Sequence, residues 1–176
     1  MKLNLIILVF SLTLISYKKK VENKPEKIIQ QENIEIDKET KSEIDIIVAL
    51  KFINEYSEFC NKQFKKQTTI TSKSFIEKNE FLSDSFKKKY KELIETAEKE
   101  DPELGLDFDP IFDAQDFPEN GFELSSVEKS GYLIVKGKGS EWANFTVKLK
   151  VINFENKWLV DGAGVINIPE NLREKR

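Results

Sequence analysis

The 176 residues are 39% hydrophobic and 34% charged with a formal net charge of −3, enough apolar content for one modest core. Histidine is absent and cysteine occurs once, at Cys60, which excludes an intramolecular disulfide, His-ligated zinc, and Ser-His-Asp or Cys-His catalysis. Arginine stands only at Arg173 and Arg176 and no basic face is evident, so nucleic acid is not an expected partner.

In chain order, the Met1-Lys2 leader precedes an apolar run, "LIILVFSLTLI", over Leu5 to Ile15. At about 1.5 Å per residue this run is too short for a hydrocarbon core of roughly 30 Å, so residues 1–17 read as a signal or export segment. "LIS" before Tyr17 resembles the bacterial lipoprotein box, with tyrosine where the lipidated cysteine would stand. Three readings stay open: a lipoprotein relative without its anchor, a cleaved signal, or an uncleaved tether. All place the protein in the periplasm or cell envelope, touching membrane only through its N-terminal segment.

Residues 18–42 alternate charges around Pro25 and contain no aromatic residue, the composition of a flexible linker. A single domain is expected over 43–170, followed by a polar tail, 171–176. Ile46, Ala49, Leu50, Ile53, Tyr56, Cys60 and Phe64 recur at three- and four-residue spacing, one buried stripe of a helix. Cys60 within it reads as a small core residue. A short helix is predicted around Ser74 to Asn79 with Ser72 as its cap. Another starts after Ser83 or Asp84, buries Phe86, Tyr90, Leu93, Ile94 and Ala97, and stops at Asp101-Pro102.

After Gly121 the period becomes two. "FELSSVE", "YLIVKGKG", "ANFTVKLKVINF" and "KWLVDGAGVINI" read as four strands whose short turns force antiparallel pairing. Phe145, Val147, Leu149 and Val151 face the core, with Lys148 and Lys150 on a wet face. The fold class is therefore α+β, N-terminal helices packed on a four-stranded antiparallel meander.

Between helices and sheet lies "DPELGLDFDPIFDAQDFPENGFEL", rich in carboxylates and free of positive charge. Leu106, Phe108, Ile111, Phe112 and Phe117 pin it to the domain. Asp101 and Asp109, each before proline, read most simply as caps of turns. Asp107, Asp109 and Asp113 have a partial calcium-loop spacing, without the glycine and terminal glutamate of an EF-hand. A carboxylate pair could also serve hydrolysis. Neither a cofactor nor a catalytic set is assigned.

The acidic segment with "KWLVDG" resembles a family of bacterial envelope proteins, often lipoproteins, known as a domain of unknown function. The resemblance covers residues 45–168 and rests on Asp107, Asp109-Pro110, Asp113, Gln115-Asp116, Trp158 and Asp161. It implies a cystatin-like or nuclear-transport-factor-2-like fold, with the sheet curled around a long N-terminal helix. In that fold Gln115 and Asp161 could line a pocket with Trp158; alternatively Asp161 accepts backbone hydrogen bonds and fastens the acidic segment to the sheet. The ligand- or partner-binding candidates are thus Asp107, Asp109, Asp113, Gln115, Asp116, Trp158 and Asp161.

The leading functional expectation is an exported, non-catalytic binding or adaptor domain whose partner is a protein or small ligand of the envelope. The alternatives are a small-ligand or hydrolytic domain using Asp109, Asp113, Asp116 and Asp161, and a periplasmic immunity protein against a basic toxin.

Overall fold

A computed structural model describes the backbone over residues 27–174 and side chains over 46–174. The export segment, 1–17, and Tyr17 lie outside the described residues. Helices α1 (Lys27–Phe64), α2 (Ser72–Lys78) and α3 (Asp84–Glu100) precede strands β1 (Phe122–Val127), β2 (Tyr132–Gly137), β3 (Thr146–Phe154) and β4 (Lys157–Ala163). The strands pair antiparallel in the order β1-β2-β3-β4, an open meander. The α+β class and the change of period after Gly121 are as the sequence predicts. Not every helical element is N-terminal, however: single 3-10 turns lie at Ser140–Trp142 and Glu170–Leu172. In addition, α1 begins at Lys27, inside the stretch expected to be a linker. Its Lys, Gln and Glu residues are good helix formers, and charge alternation alone does not oppose a helix.

The inner face of the sheet packs on α1. Ala49, Phe52, Ile53 and Tyr56 are buried against Val135, Val147, Leu149 and Val160. Each such side chain contributes roughly 1.5–3 kcal/mol by leaving water. Phe52 and Phe59 widen the predicted stripe, whereas Phe64 is 82% exposed. It stands in the last turn of α1, beyond the residues that meet the sheet. Aromatic rings fill the centre, with Tyr56 to Phe112 at 5.1 Å and Phe112 to Phe122 at 5.6 Å between centroids.

Polar residues of α1 stitch the acidic segment's end to the helix. Asn54 accepts from the Phe122 amide (2.8 Å) and donates to its carbonyl (3.1 Å), while Ser57 donates to Pro118 O (2.8 Å) and Asn61 to Glu119 O (2.8 Å). Helix α2 is capped by Thr71 rather than Ser72: the Thr71 hydroxyl accepts from Ser74 N, and Ser72 donates instead to Gln63. Helix α3 is capped by Ser83 and ends before Asp101, as expected.

The outer face is less wet than alternation predicts. Lys148 is 7% exposed and Ile134 is buried beside it on β2. After β4 the chain turns at Gly164-Val165, where Ala163 and Ile166 bridge, and doubles back over Gly162. A β-carbon at Gly162 would meet Ile166 O and Ile168 Cδ1 at 2.9 Å, so glycine is needed for that close approach.

Candidate functional site

Two polar constellations stand out. The first is Asp109, half-buried between the acidic segment and α1. Its Oδ1 accepts from the amides of Ile111 (2.8 Å) and Phe112 (3.0 Å), and its Oδ2 accepts from the Tyr56 hydroxyl (2.6 Å). The backbone of Asp109 pairs with Ala114, closing a loop in which Asp113 takes φ +57°. Asp109 is thus the cap expected from Asp-Pro, and Asp101 does likewise for the amides of Glu103 and Leu104. Burial raises the Asp109 carboxyl above its ordinary range, against the lowering by its three donors. Burial and then the Asp109 charge push the Tyr56 and Tyr90 phenols and the Cys60 thiol upward. A thiol held protonated in this way is a poor nucleophile.

The second constellation lies at the edge of β4. In the β3–β4 register Val151 pairs with Val160 and Lys150 with Gly162, which leaves Asp161 as the extra residue of a bulge. Residues 81–83 add a rudimentary parallel strand there: Val160 N donates to Phe81 O (2.7 Å) and Ser83 N to Val160 O (3.0 Å). This places the N-terminus of α3 beside the bulge. Asp161, 7% exposed, accepts from the Ser83 hydroxyl at 2.7 Å and from Lys150 Nζ at 2.8 Å. The same Ser83 oxygen accepts from Phe86 N (3.0 Å), so one hydroxyl caps the helix and ties it to the sheet. Asn167 then donates to Asp161 O (2.8 Å) and to Ser85 Oγ (3.0 Å).

Next to this network opens a cleft of about 530 Å³ between α3 and the β3–β4 hairpin. Its floor is apolar, from Leu82, Ile152, Phe154 and Leu159, and Lys87 and Lys157 stand among its polar lining. Phe154, 58% exposed, presents its ring at this cleft.

Of the residues singled out from sequence, Asp161 alone lines this cleft. It fastens α3, not the acidic segment, to the sheet. Asp109 and Asp113 are half-buried on the acidic segment, Asp109 bonded to Tyr56 of α1, while Asp107, Gln115 and Asp116 are exposed. Trp158 shares the strand parity of Val160 and so lies on the opposite face from Leu159. The pocket expected from Gln115, Trp158 and Asp161 is therefore not assembled; the bulge and the strand parity separate them. Among the described residues no group of three or more Cys, Asp or Glu side chains is arranged to hold a metal ion. Among the described residues, too, no helix is long and apolar enough to cross a membrane. Sequence reasoning missed Lys150, read only as surface, and the second role of Ser83. The signal for both was Asp161 itself, a carboxylate within an otherwise apolar strand that needs donors.

Comparison with protein-family models, with curated proteins and with solved structures finds no match to this chain.

Proposed function

We propose that this is an exported, non-catalytic binding or adaptor domain of the bacterial cell envelope, with its partner bound in the cleft between α3 and the β3–β4 hairpin. The observation that carries the reading is the cleft itself: an apolar floor open to solvent, flanked by Glu80, Asp84, Lys87 and Lys157 and by the Ser83–Asp161–Lys150 network. Such a surface favours recognition by shape and apolar contact. The hydrolytic alternative has less support, because the Asp109 oxygens are taken by Tyr56 and two backbone amides and Asp161 is held by Ser83 and Lys150. Membership of the envelope family, with the sheet curled around α1 in a cystatin-like or nuclear-transport-factor-2-like manner, belongs to the same proposal.

The test is affinity capture from an envelope extract with the wild type and with Phe154→Glu. Specific retention by the wild type, lost in a variant with an unchanged melting temperature, is the expected result. Equal retention by both would remove the cleft from the binding surface. Fractionation addresses export separately: a wholly cytosolic, full-length product would refute it.

A further inference from the structure

The outer face of the sheet carries a second site, already occupied by the chain itself. Lys148 is a charged side chain only 8% exposed, which is costly unless its ammonium is paired. Its Nζ donates to Glu128 Oε1 at 2.9 Å, lies 3.6 Å from Glu174 Oε1, and sits 5.8 Å from the Tyr132 ring centroid. Thr146, two residues earlier on the same face of β3, donates its hydroxyl to Glu174 Oε2 at 2.8 Å. Two neighbouring side chains of one strand thus receive a single carboxylate, delivered by the C-terminal segment.

That segment changes character along its length. Ile166 and Ile168 are 0% and 2% exposed and anchor it. Beyond them Pro169, Glu170 and Asn171 are exposed, and Leu172, Arg173 and Glu174 are half-buried. Arg173 Nε turns back to Ile168 O (3.1 Å) rather than onto the sheet, so Glu174 supplies the polar grip. Lifting the segment away would take from Lys148 one of its two carboxylates and from Thr146 its acceptor, which is costly. Replacing Glu174 by another carboxylate would not be, since the pairing of Lys148 is preserved.

We propose that Pro169–Glu174 is an intramolecular ligand on a carboxylate-receiving site formed by Thr146 and Lys148, and that a partner protein displaces it by presenting a segment that makes the same single turn, with Asp or Glu at the place of Glu174. The occupant is defined by the segment seated there: a short peptide with a single 3-10 turn followed by one carboxylate directed at β3. The site is separate from the cleft and does not depend on it.

The experiment uses the full chain and a fluorescent peptide of residues 168–176, "IPENLREKR". In the wild type the attached tail competes at high effective concentration, so the peptide binds weakly. Glu174→Ala in the protein removes the grip, and peptide affinity is expected to rise about tenfold or more, in line with the effective-concentration advantage the tail loses. Adding Thr146→Val or Lys148→Met to that variant is expected to abolish the gain, as is Glu174→Gln in the peptide. Hydrogen exchange at the Leu172 and Arg173 amides, bonded to Pro169 O and Glu170 O, reports whether the tail is released. Faster exchange together with tighter peptide binding supports the proposal. Faster exchange without peptide binding shows that no receiving site exists, and unchanged exchange shows that Glu174 does not hold the tail; either result overturns it.

Discussion

Asp109 concentrates more of the chain's local logic than any other side chain. It closes its loop through the Ile111 and Phe112 amides and meets the Tyr56 hydroxyl inside the core. Asp109→Ala would strand these donors, and a loss of about 3 kcal/mol is expected by urea denaturation, from unmet buried groups and a lost cap together. Asp109→Asn keeps an acceptor for the loop and removes the buried charge, so its cost is expected to be about 1 kcal/mol at neutral pH. The pH dependence separates charge from shape. The folded-state carboxyl titrates above its unfolded value near 3.8, so its stabilising contribution is complete below that pH and is lost as pH rises through the folded value. The melting temperature of Asp109→Asn relative to wild type should therefore climb as pH is raised from about 4 through the raised carboxyl range. A pH-independent difference would show that the Asp109 carboxyl titrates alike in the folded and unfolded states.

Among the elements, the junction of α3 with β4 is the one most exposed to single changes. Ser83→Ala removes the helix cap and one donor to Asp161, and a loss of about 1–2 kcal/mol is expected in thermal or chemical unfolding. The same change combined with Asp161→Asn should cost less than the two single losses added, because the residues share one hydrogen bond. The turn after β4 is equally constrained. Gly164 has φ +56°, and an added β-carbon would lie 2.5 Å from the carbonyl oxygens of Pro110 and Ile111. Val165 N also donates to Pro110 O (2.9 Å), so this turn fastens the acidic segment to the sheet. Gly164→Ala should destabilise by about 2 kcal/mol or more through strain and displaced backbone; near-neutral melting would show that the acidic segment can shift without cost.

For the whole molecule, the elements were legible because periodicity reports burial directly: the Ile53 and Tyr56 row of α1 and the Val147 and Leu149 row of β3 fall where apolar spacing puts them. The sites were less so. Sequence proximity grouped Asp107, Asp109 and Asp113, but the Asx-type cap at Asp109 turns its carboxylate to the Ile111 and Phe112 amides and Tyr56, while Asp107 stays exposed and Asp113 sits at a left-handed φ of +57°. Lys148 was read as wet because alternation describes a strand without knowing that the chain's own tail will cover it. Calcium provides a further check at this scale. Since the oxygens of Asp109 already serve protein donors, millimolar calcium is expected to leave the melting midpoint where chelator leaves it, and a rise would require a site these side chains do not form.

The extra residue in β4 has a final consequence. Val160 and Ala163 both face inward although three positions apart, which strict two-residue alternation forbids and the surplus Asp161 allows. Excising Asp161 is therefore a different perturbation from replacing it. The shortened strand would keep Val160 opposite Val151, Gly162 opposite Lys150 and Ala163 opposite Leu149 in regular alternation, so a missing amino acid would straighten β4 and leave Ser83 and Lys150 without their acceptor while the chain's last stretch keeps its inside and outside.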